Sequence, residues 1–227
     1  MTGLVSIKLG RYWEQIKTHL DSCITLDRSS RGILFLAALY HDVGKPQTSQ
    51  RDDNGQIHFF DHEKVGAEIV SKRVTYLRFS NQEVSRLKSI VRHHLRPLLL
   101  ARTGKLPSRR AIYRYFRDTE EAGVDICLLS LADVWATYGY KLTPEVWIRQ
   151  LDVVRSMFEA WWELSAERVA PPVLLTGNDL IEELHLTPGP EIGELLEKIR
   201  EAQVVGEIGT RAQALNFARS LTTRGDY

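Results

Sequence analysis

Apolar residues recur at spacings of three and four along almost the whole chain, and that pattern excludes most architectures. Such spacing puts a hydrophobic stripe along one side of a helix, because side chains three and four positions apart share a face. Strand-like alternation is confined to residues 48–60, where Asp53-Asn54-Gly55 is a turn signal between two short flanks. The expectation is an all-α fold carrying one small hairpin.

Helix starts are marked by Ser80 with Glu83, a capping box, by Ser108 after Pro107, and by Thr143 before Pro144. The pattern predicts helices near residues 11–24, 31–41, 62–77, 81–94, 108–118, 121–138 and 144–167. Pro171-Pro172 and Pro188-Gly189-Pro190 then interrupt it, so the last third reads as short helices joined by stiff turns. A soft boundary near residue 140 divides the chain into residues 1–140 and a helical extension, 141–227.

With 43% hydrophobic and 26% charged residues, the composition is that of a globular protein, neither disordered nor fibrous. The longest apolar runs, such as Ile33 to Tyr40, are far shorter than the roughly 20 residues that span a bilayer. No membrane partner is expected, and without a signal-like stretch the expected compartment is the cytoplasm. Cys23 and Cys127 lie inside apolar patterns without metal or redox spacing, and both read as buried thiols. A net charge of +1 means that any recognition of phosphate must come from local patches.

The residues with chemistry begin at His41-Asp42, which follows the apolar run Ile33 to Leu39 and precedes Val43-Gly44-Lys45-Pro46. Two metal-capable side chains are thereby expected where a buried helix ends. His62 opens a later helix, His93-His94 ends another, and Asp133 sits within the apolar stretch Leu128 to Trp135. An acid in such a stretch needs a partner, because burying an unpaired carboxylate is costly. Imidazoles mixed with carboxylates suit a borderline divalent metal, and one or two such ions can activate a water and clamp a phosphoryl oxygen. Lys45 and Lys64 are close enough in sequence to supply counter-charge to a phosphate. Singly, each histidine is more often a hydrogen-bonded structural residue; context singles out His41 first, then His62 and His94, and leaves His58 and His185 structural.

Taken together, Leu36-Ala37-Ala38-Leu39-Tyr40-His41-Asp42-Val43-Gly44-Lys45-Pro46 resembles the HD motif of the HD-domain metal-dependent phosphohydrolases. Phe60-Asp61-His62-Glu63-Lys64-Val65-Gly66-Ala67, Leu77-Arg78-Phe79-Ser80 and Val91-Arg92-His93-His94 are similar, more narrowly, to the HD-containing C-terminal body of bacterial tRNA nucleotidyltransferases, the CCA-adding enzymes of the poly(A) polymerase family. So are Leu175-Thr176-Gly177-Asn178-Asp179-Leu180 and Pro188-Gly189-Pro190-Glu191-Ile192-Gly193. The resemblance implies an HD-domain helical bundle with a C-terminal helical extension. By position, it implies that His41, Asp42 and Asp133 hold one divalent ion, while His62 and His94, with Asp42 bridging, hold a second. The ion would be Mn, Ni, Co, Fe or Mg. Asp42 and Lys45 would be catalytic in hydrolysis of a nucleotide or RNA-end phosphoester by metal-activated water. The implied partners are that substrate, tRNA, or a separate nucleotidyltransferase subunit.

Two departures from the family pattern matter. The nucleotidyltransferase head has no counterpart here, so the chain by itself is not expected to add nucleotides. At the usual first histidine, Trp13-Glu14 is followed by Gln15; either that position is weakened or His19, on the same helical face, takes its place. The rival reading is therefore a non-catalytic, tRNA-binding body of a split or truncated nucleotidyltransferase. Arg109, Arg110, Arg114 and Arg117, interleaved with Tyr113, Tyr115 and Phe116, either grip an RNA backbone or form a solvated face, the latter being favoured by the acids that follow. Trp147, Met157, Phe158, Trp161 and Trp162 read as core.

Overall fold

A computed structural model describes residues 2–25 and 28–224. The chain is all-α, with helices α1 (Thr2–Leu9), α2 (Trp13–Asp21), α3 (Ser30–Tyr40), α4 (Lys45–Thr48), α5 (His62–Tyr76), α6 (Asn81–His93), α7 (Arg96–Arg102), α8 (Arg109–Thr119), α9 (Ala122–Tyr138), α10 (Pro144–Trp162), α11 (Ser165–Arg168), α12 (Gly177–Leu184), α13 (Pro190–Val205) and α14 (Arg211–Arg224). The expected hairpin is present as β3 (Ser49–Arg51) paired antiparallel with β4 (Ile57–Phe59), in the register Gln50 to His58. Gly55 takes the left-handed turn position at φ 78°. A second ribbon, β1 (Cys23–Thr25) with β2 (Arg28–Ser29), was not legible in the pattern.

Contacts divide the chain into two compact units, one of residues up to Pro107 with Asp118–Glu159, the other of Ser108–Arg117 with residues from Ala160 onward. The division thus falls elsewhere than the soft boundary at residue 140. In the first unit the 77–80 connection turns α6 back along α5, and the Ser80–Glu83 capping box fixes the start of α6. Helices α3 and α9 pack on α6. The core here is Ile33 and Ala37 of α3, Ala67, Val70 and Val74 of α5, Leu87, Ile90 and Val91 of α6, and Val124, Ile126 and Cys127 of α9. Each fully buried aliphatic side chain contributes about 1.5–3 kcal/mol. Met157 and Phe158 of α10 are fully buried and Trp147 nearly so, as their helical spacing predicts, whereas Trp161 and Trp162 at the end of the helix are only half-buried.

In the second unit, Leu180 of α12, Leu195, Ile199 and Ala202 of α13, and Ala214 and Ala218 of α14 form a separate core. A Thr176–Asp179 capping box starts α12. The ring of Phe116 stacks on Trp161 at 4.9 Å.

Three readings need correction. Cys23 is exposed, because it opens a two-stranded ribbon after α2 has ended instead of lying on a helix stripe. Helix α3 is not buried all round: Ile33 and Ala37 face the core while Phe35 and Leu39 are 67% and 76% exposed, since only one stripe of the helix meets its neighbours. The helix expected over 144–167 ends at Trp162, and a separate turn, α11, follows. Among the described residues, no helix is long and apolar enough to cross a membrane.

Candidate metal centre

His41 caps the C-terminus of α3 and Asp42 follows in the turn to α4. His62 is the first residue of α5, after Asp61 in a left-handed conformation at φ 60°. His94 caps the C-terminus of α6, and Asp133 lies in α9. Because α5 and α6 are packed side by side with a short connection, the start of one and the end of the other meet, and the imidazoles of His62 and His94 lie 5.3 Å apart. The His41 ring is 5.2 Å from His94.

Each of these histidines is oriented in the same way. Nδ1 lies 2.8 Å from the Ala38 carbonyl in His41, 2.7 Å from the Phe59 carbonyl in His62 and 2.7 Å from the Val91 carbonyl in His94. An imidazole nitrogen facing a carbonyl oxygen must donate, so the proton is held on Nδ1 and a neutral ring keeps its lone pair on Nε2. All three Nε2 atoms are buried and have no hydrogen-bond partner. A buried unpartnered nitrogen costs free energy that a bound cation returns.

The carboxylate of Asp42 divides its oxygens among these rings. Oδ2 is 3.2 Å from His41 Nε2, while Oδ1 is 3.4 Å from His62 Nε2 and 3.9 Å from His94 Nε2. One donor atom from each of Asp42, His62 and His94 lies within 4.8 Å of the others. Asp133 Oδ1 approaches His41 Nε2 to 3.6 Å and accepts a 3.3 Å hydrogen bond from Thr137. Lys45 reaches Asp42 Oδ2 at 2.6 Å, its ammonium 5.7 Å from the centre of the Phe59 ring.

The field of this cluster is strongly polarised. The carboxylates of Asp133 and Asp42 push the His41 pKa up to about 10, against the effect of burial. Burial alone would push the Asp42 carboxyl up, but the His41 imidazole and the Lys45 ammonium together hold it well below the usual range. His41 likewise lowers Asp133, burial acting in the opposite direction. Burial pushes the His94 imidazole down, so that ring is neutral and its Nε2 lone pair is available. A His41 ring so raised carries a proton on Nε2 as well, facing the two carboxylates, and a divalent cation would have to displace it; with that proton gone, two ionised carboxylates and three oriented imidazoles are a donor set that fits one or two divalent cations.

The structure thus brings His41, Asp42, His62, His94, Asp133 and Lys45 together. It does not bring His19 to them. His19 Nε2 is 2.8 Å from Asp125 Oδ1 and 3.2 Å from an Arg86 nitrogen, so its ring is held in another cluster. Gln15 is exposed on α2. Lys64 is exposed and paired with Asp61 at 2.7 Å. Sequence reasoning missed Thr137 and the three carbonyls. Thr137 was detectable as the residue four positions after Asp133 on a helix; the carbonyls carry no side-chain signal.

In the basic segment the arginines lie on a solvent-exposed face, as the favoured reading expects, and are paired there with carboxylates. Arg114 forms a forked pair with Glu201 at 2.5 and 2.7 Å, Arg117 pairs with Glu197, and Arg110 lies 3.5 Å from Glu201. Tyr113, Tyr115 and Phe116 are buried. The arginines face carboxylates of α13 because the aromatic side of α8 is covered; of the four, Arg109 alone has no such pairing among the described residues.

Family models match the chain as HD domain over residues 5–138 and as tRNA nucleotidyltransferase domain 2 over residues 171–218. Among similar proteins, the A-adding tRNA nucleotidyltransferase of Deinococcus radiodurans is 34% identical over 188 residues, covering 82% of this chain and 41% of that protein. The CC-adding tRNA nucleotidyltransferase of Thermus thermophilus is 34% identical over 184 residues, 80% of this chain and 38% of that protein. The CC-adding enzyme of a Synechocystis species is 45% identical over 58 residues, 25% of this chain and 14% of that protein. The chain spans about two fifths of the length of the first two relatives.

Proposed function

Since this chain belongs to the HD-domain family, we propose that it is a metal-dependent phosphohydrolase acting on a nucleotide or RNA-end phosphoester. The observation that carries the reading is the set of three buried, unpartnered Nε2 atoms converging on Asp42, each fixed by an Nδ1 contact to a carbonyl three residues earlier.

In this reading His41, Asp42 and Asp133 hold one ion, and His62, His94 and Asp42 hold a second. The division of Asp42 oxygens, one toward His41 and the other toward His62 and His94, supports a bridging role. A divalent ion bound here supplies a water of lowered pKa and a Lewis acid for a phosphoryl oxygen. The carbonyls of Ala38, Phe59 and Val91 keep the rings in the ligating tautomer. Lys45, beside Asp42, is the cation that a substrate phosphate meets, and it balances charge through the transfer. The printed names of the relatives, tRNA nucleotidyltransferases, support an RNA end as substrate class and tRNA as partner.

The test is hydrolysis of 2',3'-cyclic AMP and bis-p-nitrophenyl phosphate by metal-free protein supplied with Mn, Ni, Co or Mg, beside Asp42→Ala. Metal-dependent turnover that disappears in Asp42→Ala is expected. Turnover with no metal, or none with any, sinks the hydrolase.

One observation favours a second reading, a non-catalytic tRNA-binding body that works with a nucleotidyltransferase subunit. His19 is held by Asp125 and Arg86 and Gln15 is exposed, so α2 contributes no imidazole to the cluster. Under this reading the chain binds tRNA and hydrolyses neither probe.

A further inference from the structure

Gly44 stands two residues after Asp42, in the turn between α3 and α4. Its backbone is right-handed, φ −78° and ψ −18°, a conformation open to any L-residue. Conformational freedom therefore gives no reason for glycine here. The reason is space. A Cβ at Gly44 would lie 2.1 Å from the His62 carbonyl oxygen, 2.7 Å from the Gly66 nitrogen and 3.0 Å from the His62 carbonyl carbon. Those neighbours are backbone atoms of the first turns of α5, and they cannot swing aside as a side chain would. From the other side, a Cβ at Gly66 would stand 3.3 Å from the Gly44 nitrogen and from Val91 Cγ1. Two main chains are in contact because neither residue carries a side chain.

The contact joins the segments that carry the donor atoms. Asp42 belongs to one, His62 to the other, and their Oδ1 and Nε2 atoms are 3.4 Å apart. Val43 Cγ1, 3.6 Å from the Gly66 Cβ position, packs in the same seam. Helices α4 and α5 touch along it, and the turn is closed by Lys45 N–H to the Asp42 carbonyl at 3.0 Å and Gln47 N–H to the Gly44 carbonyl at 3.1 Å. A turn stiffened in this way cannot absorb a methyl group by local bending. It must move away from α5 as a piece, carrying Asp42 with it.

We infer that the Gly44–Gly66 backbone contact is the spacer that sets the separation of Asp42 from His62, which makes Gly44 a positioning residue of the metal centre. The inference rests on the metal-centre reading above. Ordinary contact begins near 3.4 Å, so a methyl placed 2.1 Å from the His62 oxygen forces the segments apart by more than 1 Å. Metal–ligand distances tolerate only about 0.2 Å. The loss should therefore appear in metal affinity, while most of the α5–α6 core stays intact.

The experiment is calorimetric titration of metal-free protein with Co2+, with far-UV circular dichroism for helix content and the visible d–d spectrum for coordination geometry. Gly44→Ala should weaken binding at least about 100-fold and alter the d–d bands at unchanged helix content. Gly66→Ala, with its milder overlap, should weaken it by about 10-fold or less. Gly32→Ala, whose nearest neighbour is 4.0 Å away, and Val154→Ala, a core truncation in α10, should leave affinity and spectrum unchanged. Wild-type affinity and spectrum in Gly44→Ala overturn the inference. If Gly44→Ala does not fold, Gly66→Ala decides, and an unchanged affinity there overturns it equally. A native chain that binds no Co2+ overturns the metal-centre reading and the spacer with it, whereas variants that keep their affinity overturn the spacer alone.

Discussion

Two clusters of histidine and carboxylate lie within the same unit and have opposite characters. Around His19, every charged group is matched: Asp125 accepts from Arg86 at 2.7 Å and faces His19 at 2.8 Å, and Arg86 reaches Glu121 at 2.6 Å. Around Asp42, three imidazole Nε2 atoms point inward without a regular hydrogen bond, facing carboxylate oxygens at 3.2–3.9 Å. The residue types are almost the same. The difference is an arginine, which donates in several directions and closes the first cluster. Among the described residues no arginine enters the second, where His62 and His94 keep Nε2 open and the His41 ring is set against the carboxylates of Asp42 and Asp133. Residue types alone do not separate the two clusters; convergent unpartnered nitrogens do.

The largest expected effect falls on the closed cluster. Arg86→Met would leave Asp125, which is fully buried, facing only His19, and should cost about 3–5 kcal/mol of stability in a denaturant melt. Metal affinity should be unchanged. A loss of affinity in this variant would break the comparison by showing that the two clusters are one network.

A smaller effect is expected from opening the second cluster further. His94→Gln removes one Nε2 donor and should weaken divalent-metal binding about 100-fold, near 2.7 kcal/mol, with little change in unfolding free energy. The contrast predicts that stability moves first in the closed cluster and metal affinity first in the open one; equal affinity in His94→Gln would mean that the three nitrogens do not act together.

The smallest effect is a pH dependence away from both. Glu83 is buried, which alone would raise its pKa, yet hydrogen bonds from the Ser80 backbone and hydroxyl and from Thr25, together with Arg28, bring it below the usual carboxylate value. A carboxylate with a lowered folded pKa adds stability that is fully present above its unfolded value of 4.5 and fades as pH falls through the folded one. Glu83→Gln keeps a capping-box side chain, so its deficit against the native chain should be constant from pH 8 to about 6 and shrink below about 4.5. Thermal melts across that range measure it; a deficit independent of pH would mean that the charge is not what stabilises the start of α6.

Much of the fold could be read before folding. The long helices α5, α6 and α9 follow their apolar spacing to within a residue or so, and the hairpin follows its turn signal. Short elements escaped: α1, α4 and α7 are one or two turns long, and a window of that length holds too few apolar positions to show a period. For the site, the sequence could nominate metal-capable residues but could not sort them. His19 and His94 both sit near the end of an amphipathic helix, and only their neighbours from distant segments, Asp125 and Arg86 for one, Asp42 and His62 for the other, distinguish them. The arginines of α8 were similarly undecidable, because their carboxylate partners lie 80 or more residues later.

What the sequence determined by itself was local: helical periodicity, capping, the turn at Gly55, and the presence of His41 and Asp42 where α3 gives way to a turn. These depend on interactions between residues a few positions apart, which the order of residues specifies directly. Tertiary structure decided which histidines stay open, which arginines are neutralised, and how near Asp42 comes to His62. Those depend on the packing of segments far apart in the chain, where a missing Cβ at Gly44 matters as much as any side chain that is present.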